Sequence, residues 1–178
     1  MHEVGCHHIV TSRDGLHAAT VGFGGITRTW VISESGQWIE EGKIEDENKA
    51  GEIWAIALSG NGQYLASTTY DGRINVWNLV NGRRKINEFE TKGSFGMSID
   101  LSRDGRFTAS GHEDGGVYLF NNETGKMVFS LPSMYNLPVH ACRLTNRSRP
   151  PRHCTNRSVL ARRYSPCCSW RFTHHYSI

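Results

Sequence analysis

Three stretches of this 178-residue chain superimpose without a gap when shifted by 47 and then by 43 residues. A turn reads SRDG at Ser12–Gly15, SGNG at Ser59–Gly62 and SRDG at Ser102–Gly105. Small residues follow at Ala19-Thr20, Ala66-Ser67 and Ala109-Ser110. A second turn ends at Gly25, Gly72 and Gly115, and a terminal aromatic stands at Trp30, Trp77 and Phe120. Alternating runs such as Ile53–Leu58, Tyr64–Thr68 and Ile74–Trp77, parted by Asn-Gly and Asp-Gly turns, are antiparallel hairpin signals. The glycines allow positive φ, and Asp14, Asn61 and Asp104 can close the turn on their own backbone. Few folds accept such a constraint. Each unit is a small sheet that buries its face only by stacking on the next.

A period in the forties with this internal order is the signature of WD-repeat propeller blades. The expected fold is all-β, a partial propeller of about three blades over residues 1–139. Ser67, Ser110, Asp71 and Asp114 are the structural polar positions of the blades, with Gly24 replacing the acid in the first. Outer strands are expected at Gln37–Ile39, Lys85–Phe89 and Met127–Leu131, with Glu40–Gly51 a solvated acidic loop. A fourth blade should begin near Pro138-Val139, but its text dissolves from about Ala141.

Charge splits the chain at the same place. Residues 1–142 carry 12 Lys/Arg and 17 Asp/Glu, while residues 143–178 carry eight Arg and no acid. Residues 140–178 thus read as an irregular basic Cys/Arg-rich tail, either a frameshifted or intron-read translation or a native basic tail. Three blades leave two sheet edges bare, so the isolated chain is expected to be marginal and aggregation-prone. No apolar stretch reaches 18 residues, and the N-terminus lacks signal-peptide order. Cys6 alone in the repeats suits a reducing compartment.

No reactive constellation survives the repeat explanation. Asp71 and Asp114 occupy equivalent turns, as repetition alone would place them, and Ser59 and Ser102 lack a recurrent His and acid. GFGG at Gly22–Gly25 is not followed by GK[ST] or a helix pattern. The tail's Cys142, Cys154, Cys167, Cys168 and histidines lack a close Cys-x₂₋₄-Cys pair. Neither enzyme, cofactor nor metal is expected. Eight arginines with Tyr164, Trp170 and Phe172 offer an RNA-binding alternative through the tail. His112 is expected to bond Asp114 or to face solvent.

The stronger candidates lie on the propeller's narrower face, beside the Asp turns. There the pattern places Glu52, Trp54 and Tyr70 in the second blade and Phe95, Met97 and Glu113 in the third, with His7 and Phe23 equivalent in the first. Aromatic and Met side chains on one rigid face suit protein binding. The competing reading is that Trp54 and Met97 only plug space between blades.

In GEIWAIALSGNGQYLASTTYDGRINVW (Gly51–Trp77) and FETKGSFGMSIDLSRDGRFTASGHEDGGVYLFNNETGK (Phe89–Lys126) the chain resembles the WD-repeat subunit of the superkiller complex, especially its fungal members. The likeness spans roughly residues 9–139. It implies a seven-bladed, non-catalytic adaptor that binds a tetratricopeptide-repeat scaffold and, through it, an RNA helicase, supporting exosome-dependent 3′–5′ mRNA decay. It also implies cytoplasmic and nuclear settings, with links to meiotic recombination in fungi and to transcription elongation in animals. The chain departs from the family where Gly-His becomes Gly51-Glu52 and Ser94-Phe95, which removes the histidine of the usual Asp–His–Ser/Thr–Trp network. Trp-Asp becomes Trp77-Asn78 and Phe120-Asn121.

Overall fold

The computed structural model of the chain describes residues 2, 5–46, 53–92, 94–131, 138–145 and 169–172. Three four-stranded antiparallel meanders follow one another. The first is β1 (Cys6–Thr11), β2 (His17–Gly22), β3 (Thr27–Ile32) and β4 (Trp38–Ile44). The second is β5 (Ile53–Leu58), β6 (Tyr64–Thr69), β7 (Ile74–Asn78) and β8 (Arg84–Phe89). The third is β9 (Gly96–Leu101), β10 (Phe107–His112), β11 (Val117–Asn121) and β12 (Lys126–Leu131). These are the three expected blades.

The repeated turn closes the same way each time. The Ser12 hydroxyl donates to Asp14, Ser59 Oγ to Asn61 Oδ1 at 2.8 Å, and Ser102 Oγ to Asp104 Oδ1 at 2.6 Å. Each serine oxygen then accepts the N–H that opens the next strand: His17 at 3.0 Å, Tyr64 at 2.9 Å and Phe107 at 2.9 Å. Gly15, Gly62 and Gly105 follow with φ of 74°, 70° and 74°, a conformation that favours glycine.

Blades stack through alternate faces of their strands. Ala19, Val21 and Ile44 of the first blade meet Ile56, Leu65, Trp77 and Leu79 of the second. Ala66, Val76 and Phe89 meet Ile99, Leu101, Tyr118 and Phe120 across the next seam, with Phe89 and Phe120 stacked at 4.3 Å and 14°. Backbone bonds stitch the turns across the seams: Arg13 N–H to Gly60 O at 3.2 Å, and Gly60 N–H to Arg103 O at 2.9 Å. A Cβ on Gly62 would lie 2.4 Å from the His17 ring, and one on Gly105 would lie 2.3 Å from the Tyr64 ring. The second and third glycines are therefore fixed twice, by φ and by the neighbouring blade.

Two boundaries differ from the sequence reading. The expected loop at Glu40–Gly51 begins too early, because β4 runs to Ile44 and Ile44 is buried in the first seam. Glu40 and Asp46 of this stretch are partnered. Glu40 accepts from Arg28 at 2.6 Å, and Asp46 accepts from Asn75 Nδ2 at 2.9 Å and Lys85 Nζ at 2.8 Å. Local composition suggested solvent, while the partners lie up to 39 residues away.

The second difference lies past Ala141, where the blade pattern was expected to stop. A two-stranded antiparallel ladder joins β13 (Cys142–Thr145) to β14 (Ser169–Phe172). Val139 is buried against Val117, and Leu144 is buried against Ala109 and Leu119. Val139 N–H donates to His112 O at 3.0 Å, and Asp100 accepts the Leu144 N–H. Residues 139–145 thus occupy the inner-strand place of a fourth blade. The start near Pro138-Val139 is where the repeat put a fourth blade, whereas no repeat turn marks the residues from Ala141, where the apolar Leu144 was a local signal. The tail's other residues, with Cys154, Cys167 and Cys168, lie outside the described ones.

Candidate protein-docking face

The inner strands β1 and β5, the residue before β9 and the turns after β2 and β6 bring aromatic rings together on one face. Phe23 follows β2, His7 is on β1, Trp54 is on β5, Phe95 precedes β9, and Tyr70 follows β6. Their ring centroids step 4.8 Å from Phe23 to His7, 5.7 Å from His7 to Trp54, 5.1 Å from Trp54 to Phe95 and 4.8 Å from Phe95 to Tyr70. These are favourable tilted and edge-on spacings. Phe23, Trp54 and Tyr70 remain exposed. The five rings form one continuous row over three blades.

The expected residues divide into three groups. Trp54, Tyr70 and Phe95 lie in the row with His7 and Phe23. Met97 lies below it, half-buried in the wall of a cavity of about 400 Å³ that His7, His8, Trp54 and Cys142 also line. Glu113 is exposed, its N–H bonded to Phe95 O at 2.9 Å, but it joins no ring contact among the described residues. Glu52 lies outside the described residues.

The cavity floor carries little charge. His7 Nε2 donates to Trp54 O at 3.0 Å. His8 Nδ1 accepts the Ile56 N–H at 3.0 Å, and burial with the neighbouring His7 lowers its pKa. Burial also pushes the Cys142 thiol up to about 12, so it stays protonated. Among the described residues, no group of three or more His, Cys, Asp or Glu is arranged to hold a metal ion. The face offers rings above a mostly apolar floor. It can clamp side chains of a partner.

Beneath this face the blades solve one polar problem in three ways. In the first, Trp30 Nε1 donates to Thr20 Oγ1 at 2.9 Å, and Thr20 Oγ1 lies 2.9 Å from His2 Nε2. Burial, then the charge of Arg28, lowers the His2 pKa. In the second, Trp77 Nε1 and Ser67 Oγ are buried with no partner among the described residues. The third replaces tryptophan with Phe120, and the fully buried His112 donates from Nδ1 to Ser94 O at 2.7 Å while Nε2 accepts from Ser110 Oγ at 3.0 Å. His112 neither faces solvent nor bonds Asp114. It restores a histidine to the third blade from the end of β10 rather than from the loop before β9.

Sequence reasoning missed this although Ser110 and His112, two apart on one strand, share a face. His2 carried no signal, since its partner is 18 residues away. The two acids act locally. Asp114 accepts the Gly116 N–H at 2.8 Å, and its own N–H donates to Ser94 Oγ at 3.1 Å. Asp71 accepts from Thr69 and from Arg73 Nε at 2.8 Å. Burial works against its ionisation, but these bonds outweigh it and hold the carboxyl below its ordinary value.

Four-stranded meanders stacked by repeated turns, with tryptophan or phenylalanine closing the third strand, are the blades of a WD-repeat protein. The family model described as "WD domain, G-beta repeat" matches residues 43–78, from the end of β4 through β7. The chain is related to "Meiotic recombination protein rec14" of Schizosaccharomyces pombe, at 37% identity over 140 residues, 79% of this chain and 45% of that protein. It is also similar to the human "U3 small nucleolar RNA-associated protein 18 homolog", at 33% over 75 residues, 42% of this chain and 13% of that one. The chain spans less than half the length of these curated relatives. The fungal WD-repeat resemblance is borne out, and the non-enzymatic reading rests on this kinship with a scaffold architecture.

Proposed function

We propose that the chain is a non-catalytic protein-interaction adaptor whose narrow face docks a partner across Phe23, His7, Trp54, Phe95 and Tyr70. The observation that carries this is the unbroken ring row, exposed at Phe23, Trp54 and Tyr70 on a rigid sheet scaffold. Large rings on fixed backbone bring contact area at low ordering cost. The same row argues against mere packing as the role of Trp54. The superkiller resemblance makes the partner a tetratricopeptide-repeat scaffold and, through it, an RNA helicase. The setting is then exosome-linked cytoplasmic mRNA decay.

A second reading is favoured by the likeness to rec14: the same face serves nuclear meiotic recombination machinery. Affinity purification from the native cells separates the two. Recovery of a helicase with a tetratricopeptide scaffold supports the first reading, and recovery of recombination proteins alone supports the second. Recovery of neither contradicts both.

A further inference from the structure

Phe95 carries the ring row from the second blade to the third, yet it precedes β9 and, like Ser94, belongs to no strand. The end of β10 holds the two residues instead. His112 Nδ1 donates to Ser94 O at 2.7 Å, Glu113 N–H to Phe95 O at 2.9 Å, and Asp114 N–H to Ser94 Oγ at 3.1 Å. Two of these donors are backbone groups that any ordinary residue would supply. The third is a side chain. The pairing of β9 with β10 shifts register between Gly111 and His112, an irregularity of the kind that re-aims a side chain. The imidazole is fully buried, with Ser110 Oγ 3.0 Å from Nε2 and the Tyr118 ring edge-on at 4.9 Å. The Ser94 carbonyl can only accept, so Nδ1 carries the proton.

The second blade meets the same carbonyl. A Cβ on Gly72 would lie 2.5 Å from Ser94 O, and Thr91 Oγ1 donates to Gly72 O at 2.6 Å. Tyr70 belongs to that turn, so Ser94 O sits where His112 and the Tyr70 turn converge. The equivalents of His112 give no such bond: Thr69 bonds Asp71 within its own turn, and Gly22 has no side chain. We propose, resting on the docking reading of the row, that His112 is a positioning residue for it: by holding the Ser94 carbonyl it keeps the Phe95 ring between Trp54 and Tyr70. The order of the exposed row is thus set from inside the third blade. A ring held in place before the partner arrives need not be ordered on binding.

NMR spectroscopy and affinity purification of the full chain test this with two variants that each keep one bond. His112→Asn puts an amide N–H in the place of Nδ1 and keeps Ser94, while His112→Gln reaches Ser110 and releases Ser94. NOEs from the Phe95 ring to Trp54 and Tyr70 are expected in wild type and His112→Asn and lost in His112→Gln. The Phe89–Phe120 NOE, kept throughout, marks a folded third blade. Recovery of the tetratricopeptide-repeat scaffold from native cells should fall about five-fold with His112→Gln and about two-fold or less with His112→Asn. His112→Leu, which loses both bonds and buries no new polar group, should repeat the His112→Gln result. A purely structural histidine would make the Asn and Gln variants act alike, so equal effects overturn the proposal. Phe95 NOEs retained in both His112→Gln and His112→Leu also overturn it. NOEs that change as expected while recovery does not overturn the docking reading instead, since the ring then moves without the partner responding.

Discussion

The second and third blades share turns, strand lengths and stacking, yet fasten themselves with different chemistry. The second relies on charge: Asp71 to Arg73 at 2.8 Å, Arg73 to Glu88 at 3.4 Å, Lys85 to Glu88 at 2.7 Å and Lys85 to Asp46 at 2.8 Å. Lys85 also lies 5.2 Å over the Trp77 ring. The third relies on a buried neutral histidine, held between Ser94 and Ser110 and packed edge-on to Tyr118 at 4.9 Å. Phe120 fills the tryptophan place without needing a hydrogen-bond partner, while Trp77 keeps an indole N–H that has none among the described residues. The blade fold thus requires a large flat side chain at this position. It does not require one polar network.

The largest expected effect breaks what the two blades share. Phe120→Ala removes a fully buried ring stacked on Phe89, and should cost about 4 kcal/mol in urea unfolding followed by circular dichroism. A loss under about 1 kcal/mol would show that the seam is not close-packed. His112→Ala attacks the third blade alone, leaving Ser110 and the Ser94 carbonyl unpaired, and should cost about 2 kcal/mol.

His112 also makes the comparison sensitive to pH. Burial lowers its pKa below the ordinary 6.5, against the smaller opposing effects of Ser94 and Asp114. The unfolded chain then binds the proton more readily than the folded one. Stability is full above pH 6.5 and falls as pH drops below it. His2 and His8 shift the same way. Thermal melts from pH 7.5 to 5.5 should show a falling Tm, with a shallower fall for His112→Gln. An equal slope in that variant removes His112 as a contributor.

Smaller effects sharpen the contrast. Trp30→Phe loses the bond to Thr20 and should cost about 1 kcal/mol, whereas Trp77→Phe removes an unpaired N–H and should cost less than half as much. Reversal of that order would mean that the Trp77 indole has a partner in solution. Arg73→Ala should cost about 0.5 kcal/mol, since the Asp71 and Glu88 side chains are solvent-accessible and screened.

The parts legible in the sequence were those written locally. Ser12, Asp14 and Gly15 close their turn within four residues, so the text and its 47- and 43-residue echoes disclosed the blades. The ring-bearing face was legible for the same reason, because Trp54 and Tyr70 hold fixed places in a repeat. Phe95 was placed on that face, but not its reach across the seam to both of them. What escaped depended on distant partners. Asp46 looked like loop until Asn75 and Lys85 met it, and His112 looked like surface until Ser94 closed over it. Leu144 was set aside with the basic text around it, though its apolar side chain still found the third blade.

The claim at the centre is that the ring row is a docking surface. Quantitative affinity purification from the native cells, comparing wild type with Trp54→Ala and Tyr70→Ala, tests it most directly. The account predicts that recovery of the co-purifying partner falls at least about ten-fold, the equivalent of about 1.4 kcal/mol, while the Tm stays close to wild type. Undiminished recovery with both variants would contradict it.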